Sequence, residues 1–178
     1  MIRVRGKTIE TLFSEEDIAR EIERMAAEIA AHKPDNLLVV AVLKGSFIFA
    51  ADLIRALHRH HVAPEMEFIQ LSSYGTGTVG GDVRIVRDLD GQIAGRKVLI
   101  VDDILESGRT LKFARDLMLS RGATGAEIAV LLDKRMRRVI ELEADYVGFD
   151  CPDHFVVGYG MDVAHTFREL PFVGRVVS

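Results

Sequence analysis

Cysteine is nearly absent from this chain. Cys151 is the only one among 178 residues, so an intrachain disulfide is impossible and a cysteine-built zinc cluster is excluded. Long apolar runs are missing too. None approaches the roughly 20 residues that cross a bilayer, and the opening residues, MIRVRGKTIE, lack the apolar core of a secretory signal. The expected location is the cytoplasm. Nor is there an excess of positive charge: 23 lysines and arginines face 27 aspartates and glutamates, a formal net charge of −4. Such a chain has no global attraction for nucleic acid or an anionic membrane surface, so an anionic ligand must be held by backbone N–H groups, a few placed cations or a metal ion. No internal repeat, low-complexity tract or linker breaks the chain. What remains is an ordinary globular composition, 48% hydrophobic and 28% charged, at a length that suits one domain with a full core.

The hydrophobic pattern alternates between two periods. FSEEDIAREIERMAAEIAAHKP reads as a helix, with Ser14 as N-cap, acids in the first turn, Ile18, Ile22, Met25 and Ile29 on one face, and Pro34 ending it. NLLVVAVLKGS is a continuous apolar run, the pattern of a strand covered on both faces, and FIFAADLIRALHRHH follows as a helix. EMEFIQLSS, VRIVRDL, KVLIV, AEIAVLLDKR, DYVGFD and FVVGYGMD read as further strands, and TLKFARDLMLSRG as a helix capped by Gly122. Between the second and third strands, YGTGTVGGD carries four glycines and no apolar period, the character of a loop. Buried strands alternating with helices predict an α/β fold with a mostly parallel central sheet flanked by helices. Ligands in that architecture collect at the carboxyl ends of the strands, which directs attention to Lys44-Gly45, Ser73-Tyr74, Asp102 to Thr110, Asp133-Lys134 and Gly160 to Asp162.

Among these, VLIVDDILESGRT is the most unusual. Two adjacent carboxylates follow an apolar run, where burial and mutual repulsion both cost free energy. The pair either ends a strand and solvates, or binds a polyol or a hydrated divalent cation, since hydroxyls donate to carboxylates and hard cations take oxygen ligands. The next residues, ESGRTL, put a glycine, two hydroxyls and a cation at the start of a helix. That turn is either an N-cap or a phosphate cradle at the positive end of the helix dipole.

The motif VLIVDDILESGRTL resembles the signature of the type I phosphoribosyltransferases, which bind 5-phosphoribosyl-1-pyrophosphate (PRPP). LKGSFIFAADL, SSYGTGT, LLDKR and YVGFDCPDHFVVGYGMD followed by FREL are similar, in order and spacing, to the hypoxanthine-guanine phosphoribosyltransferases, from about Leu37 to Arg175. The resemblance implies that family's fold over 1–178 as one domain, with a core from about 35 to 150 and a small hood built from the N-terminal segment and about 151–178. It implies transfer of the phosphoribosyl group from PRPP to hypoxanthine or guanine in purine salvage, with Mg2+ as cofactor and a dimeric or tetrameric assembly. Asp102 and Asp103 would hold the ribose hydroxyls and magnesium, with Asp162 a further metal ligand. Glu106, Ser107, Gly108, Arg109 and Thr110 would wrap the 5′-phosphate, and Lys44, Gly45 and Arg168 the pyrophosphate, with a cis peptide joining Leu43 to Lys44. Lys134 would read the 6-oxo group of the purine, Phe155 would stack on it and Val156 would contact it through backbone. The segment from Ser73 and Tyr74 to Gly81 would be a lid. The family usually has aspartate, the base that takes the purine N7 proton, where this chain has Glu106; the glutamate keeps the carboxylate but moves it by about 1 Å, a displacement that matters in catalysis.

Other features point elsewhere less strongly. HRHH, His58 to His61, falls at a predicted helix end, where cationic side chains meet the dipole favourably, rather than in a metal site. His154 and His165 are expected at the surface. In DKRMRR only Lys134 follows a strand directly; Arg135, Arg137 and Arg138 read as a solvated face or a subunit contact. A response-regulator receiver also uses an acidic pair, but near its start, and here less than half of the chain follows Asp102. A nucleic-acid-binding regulator on the same fold conflicts with the net charge, and a xanthine-preferring transferase stays open as an alternative.

Overall fold

The computed structural model describes residues 1–74 and 82–178. A short hairpin, β1 (Ile2–Val4) and β2 (Lys7–Phe13), leads into α1 (Glu15–Ala31). Ser14 and Asp17 form a reciprocal capping box, each side chain taking the other's backbone N–H. Next come β3 (Leu37–Leu43), α2 (Phe47–Arg59), β4 (Glu65–Tyr74) and β5 (Asp82–Arg87). The second half supplies β6 (Lys97–Leu105), α3 (Arg109–Ser120) and β7 (Gly125–Asp133). It closes with β8 (Tyr146–Asp150), β9 (Val156–Val157) and β10 (Val173–Val176). Gly122, at φ +93°, ends α3: its N–H reaches the Leu119 carbonyl and that of Ala123 reaches Met118, a left-handed stop that a side chain would strain.

Six strands form the main sheet in the order β5-β4-β3-β6-β7-β8, all parallel except the β4–β5 hairpin. Neighbouring residues of one strand face opposite layers. Val39, Leu99 and Leu131 pack under α1 and α2 with Met25, Phe49 and Leu53, whereas Val40, Ile100 and Val130 meet Leu111, Ala114 and Met118 of α3. Cover on both faces is why LLVVAVL and VLIV carry no polar alternation. The remaining strands make a separate antiparallel sheet, β1-β2-β10-β9, from the two ends of the chain. Ile9, Val157, Phe167 and Leu170 form its own small core, and Val156, Tyr159, Met161 and Val173 join it to the main one.

The chain runs from β3 outward to β4 and later returns to lay β6 on the opposite side of β3, so the order reverses between β3 and β6. That switch point is where the carboxyl-end loops diverge and a cleft opens. FVVGYGMD, expected as a strand, pairs as one only at Val156–Val157 before turning at Gly158, and one strand end also differs from the sequence expectation. β6 does not stop before the acidic pair but continues through Asp102 and Asp103 to Leu105, because β7 keeps pairing with it as far as Leu105↔Asp133. Phe49, fully buried between α2 and the sheet, anchors this layer; replacing it with alanine is expected to cost about 3–5 kcal/mol in urea unfolding, with the denaturant slope unchanged.

Candidate active site

β3 leaves β6 after Ala41↔Val101. Beyond that point Asp102 and Asp103 keep a strand neighbour on one side only, β7, and the Asp103 carboxylate lies beside Gly45. Each carboxylate is tethered by the next backbone N–H: Asp103 N–H donates to Asp102 Oδ1 and Ile104 N–H to Asp103 Oδ1, both at 2.8 Å. Burial, followed by repulsion from Asp103, pushes the Asp102 carboxyl well above the usual carboxylate range, and burial raises Asp103 as well.

Three residues on, the chain turns through Glu106, Ser107 and Gly108 into α3. Gly108 sits at φ +89°, which favours glycine, and a Cβ there would also crowd the Ile140 carbonyl at 3.2 Å. Ser107 Oγ accepts the Arg109 N–H at 3.3 Å. No acidic residue stands in the first turn of α3. The turn, Asp102, Asp103, Thr110 and Ser73 line a cavity of about 270 Å³ suited to an anion at a helix N-terminus.

A second cavity, about 400 Å³, adjoins it and gathers groups from distant segments: Lys44, Gly45, Gln70, Asp103, Glu106, Lys134, Phe155, Val156, Asp162 and Arg168. Leu43–Lys44 is a cis peptide. Gly45 lies so close to Asp103 that a Cβ would overlap its carboxylate, and a Cβ on Gly160 would stand 2.5 Å from the Gly45 carbonyl. Lys134 is almost fully buried, with Nζ 2.7 Å from Glu106 Oε1. Arg168 donates to the Gly160 carbonyl at 2.6 Å and stands 3.2 Å from Asp162 Oδ2. Phe155, by contrast, is 66% exposed, an aromatic face presented at the cleft rim above buried Val156. The cleft therefore offers cations, carboxylates and one open ring. A larger cavity, about 460 Å³ between α1, α2 and the hood, contains none of the strand-end residues.

Among the described residues no three His, Cys, Asp or Glu side chains converge into a metal cage. Magnesium does not need one, since it keeps water and takes one or two carboxylates plus substrate oxygens. Asp102, Asp103 and Asp162, with Glu106, are the carboxylates lining the two cavities, and the three aspartates fit that mode.

Residues 8–164 match the model of the phosphoribosyl transferase domain. The sequence is 45% identical to hypoxanthine phosphoribosyltransferase from Haemophilus influenzae, over 95% of this chain and 96% of that protein. The chain belongs to the hypoxanthine-guanine phosphoribosyltransferase family. It is also 44% identical to the hypoxanthine-guanine phosphoribosyltransferase of Aquifex aeolicus, over 99% of both chains. The crystal structure of a hypoxanthine phosphoribosyltransferase from Staphylococcus aureus superposes with a TM-score of 0.88 at 39% identity, covering 94% of this chain and 91% of that one.

Most residues selected from the family's motifs thus meet in two adjoining cavities. Two expectations need correction. Tyr74, expected in the loop, is instead the last residue of β4, paired with Asp82 and with Arg84 over its ring, while Ser73 lies in the strand as expected, paired with Val83; the rest of the expected lid, 75–81, lies outside the described residues. Arg138 is not a solvated surface charge: it donates to the Glu106 carbonyl at 2.9 Å and pairs with buried Asp133. The available signal was Asp133 itself, a carboxylate ending the apolar run AVLL, which demands a nearby cation. His60 contacts Glu23 at 2.9 Å, tying α2 to α1, and His154 contacts Arg175 at 2.9 Å.

Because the acidic pair is held with raised pKa values, the unfolded chain loses its protons first as pH rises, and stability falls from the ordinary carboxylate range upward. Asp102→Asn is expected to raise the thermal midpoint in magnesium-free buffer, by more at pH 8 than at pH 4, as measured by calorimetry. A midpoint equal to wild type at both values contradicts this.

Proposed function

We propose that this protein transfers the 5-phosphoribosyl group from PRPP to a 6-oxopurine, hypoxanthine or guanine, releasing pyrophosphate and a nucleoside monophosphate. The observation that carries the proposal is the junction of the two cavities: an anion cradle and an aromatic, cation-bearing slot are joined by the Asp102–Asp103 carboxylates, matching a ligand with phosphate, sugar hydroxyls and base in that order. Ser107 to Thr110 take the 5′-phosphate through backbone N–H groups and hydroxyls. Asp102 and Asp103 take the ribose hydroxyls. These carboxylates and Asp162 would hold magnesium, which when bound would neutralise charge on the pyrophosphate.

The base enters between Phe155 and the cleft floor, with Lys134 donating to its 6-oxo oxygen and Val156 meeting it through the main chain. Breaking the bond from C1 to pyrophosphate builds positive charge on the sugar and negative charge on the leaving group. The acidic pair answers the first, and Lys44 and Arg168 the second. Glu106 accepts the N7 proton. Its carboxylate is already 2.7 Å from Lys134 Nζ, so one ion pair links the proton acceptor to the 6-oxo donor. A ribosyl cation would be captured by water, so the reaction needs cover over the site, the role expected of the segment from Ser73 to Gly81.

The protein acts in the cytoplasm as a dimer or tetramer. Among the described residues no helix is long and apolar enough to cross a membrane.

Turnover followed by absorbance with PRPP, magnesium and each of hypoxanthine, guanine, xanthine and adenine tests the reading. Hypoxanthine or guanine is expected to react, and adenine at least about 10³-fold less efficiently, because its 6-amino group would face the Lys134 donor. Turnover of none of the four overturns the proposal. For the proton step, Glu106→Gln is expected to lower kcat by about 10²–10⁴ with purine KM little changed; near-wild-type kcat across pH 6–9 removes Glu106 from that role.

A further inference from the structure

Asp133 and Arg138 stand outside every role described above, yet both are locked against the turn that opens α3. The Asp133 carboxylate has no solvent exposure and accepts from two guanidinium groups, Arg135 at 3.1 Å and Arg138. Arg138, only 13% exposed, spends its other donors on main chain: Nε to the Glu106 carbonyl at 2.9 Å and Nη1 to the Leu142 carbonyl at 2.5 Å. The next two residues continue the contact, with the N–H groups of Val139 and Ile140 both donating to the Ser107 carbonyl at 3.0 Å. Two successive carbonyls of the turn are therefore drawn to one segment, 138–140. In a trans peptide the C=O and the following N–H point in opposite directions. Pinning the carbonyls of Glu106 and Ser107 outward turns the N–H groups of Ser107 and Gly108 the other way, to the side where the turn lines the 270 Å³ cavity; residues 138–140 do not line it. The approach is tight, since a Cβ on Gly108 would lie 3.3 Å from Arg138 Cδ.

We propose that Asp133 and Arg138 are positioning residues: the buried carboxylate fixes the planar guanidinium, and the guanidinium clamps the outer face of the turn so that its inner N–H groups meet a phosphate monoester. This rests on reading Glu106 to Thr110 as the 5′-phosphate cradle. An Arg–Asp pair serves here where a lysine would not. A guanidinium presents a rigid fork of donors that can hold a carboxylate and two carbonyls together, and an ammonium is a point charge on a flexible stem. If the pair were merely structural, its loss would lower stability without singling out the phosphate.

The test compares binding of IMP and inosine, which differ only in the 5′-phosphate, by calorimetry in wild type, Arg138→Lys and Val139→Pro, with thermal midpoints recorded for all three. Val139→Pro deletes one donor to the Ser107 carbonyl and leaves Asp133 untouched; its side chain is 64% exposed, and Arg138 at φ −66°, ψ 130° already has the extended shape a following proline demands. Wild type is expected to prefer IMP by about 100-fold or more. Arg138→Lys should cut that preference about tenfold, and Val139→Pro about threefold, with inosine affinity within about twofold of wild type. The KM for PRPP should rise in step while that for the purine holds. Should Arg138→Lys fail to fold, Val139→Pro decides alone. A folded variant that keeps the full IMP preference overturns the clamp and spares the cradle, whereas wild type that does not distinguish IMP from inosine overturns the cradle itself.

Discussion

The parting of β3 from β6 after Ala41↔Val101 is the constraint on which the rest of the site depends. Parallel pairing buries β6 so completely that no carboxylate could be accommodated among Val98, Leu99, Ile100 and Val101. Beyond Val101, β6 has no pairing with β3, and Asp102 and Asp103 stand there while β7 continues to pair with the strand. The same departure brings Lys44 and Gly45 over the gap, so close to Asp103 that a Cβ at 45 would force the Asp103 carboxylate to move. Strand register thus sets the spacing between the acidic pair and the Lys44–Gly45 segment, and no local preference of either stretch does so.

Charge in the cleft is arranged in coupled pairs rather than singly. Lys134 is balanced by Glu106 and Arg168 by Asp162, and behind the turn Arg138 is balanced by Asp133. Asp102 and Asp103 depart from this pattern: neither has a cationic partner within ion-pair distance in the described structure, and burial raises both. An enzyme that stabilises a sugar becoming cationic and a polyanionic leaving group needs that asymmetry, with preorganised negative charge on one side of the breaking bond and cations on the other. The stability such a pair costs is the kind of local conflict expected at a functional site.

The hood extends the same logic across the cleft. Both chain ends build one antiparallel sheet, and the irregular stretch from Gly158 to Arg168 hangs from it, with Tyr159, Ala164, His165 and Phe167 all at positive φ. This winding path returns Asp162 and Arg168 toward Gly45 while Phe155 stays exposed at the rim. The Tyr159 hydroxyl donates to Asp52 on α2, and that contact with burial drives its pKa far above the ordinary phenol range. The hood is therefore tied to the helix that follows the Lys44–Gly45 segment.

By itself the sequence determined the layers and the chemistry. The apolar runs, the Ser14 cap and the Gly122 stop marked strands and helices by local rules, and the acidic pair with its Gly-containing turn carried enough order to imply PRPP chemistry through the family it resembles. Tertiary structure alone decided what meets what. The extension of β6 to Leu105 depends on β7, the assembly of the hood joins residues more than 140 positions apart, and Arg138 reaches the Glu106 carbonyl only when β7 lies beside β6. Periodicity reports which face of an element is buried; it contains no term for the neighbour that will cover that face. Registers, buried ion pairs and main-chain clamps are properties of two segments at once, so they appear only after the sheet has closed.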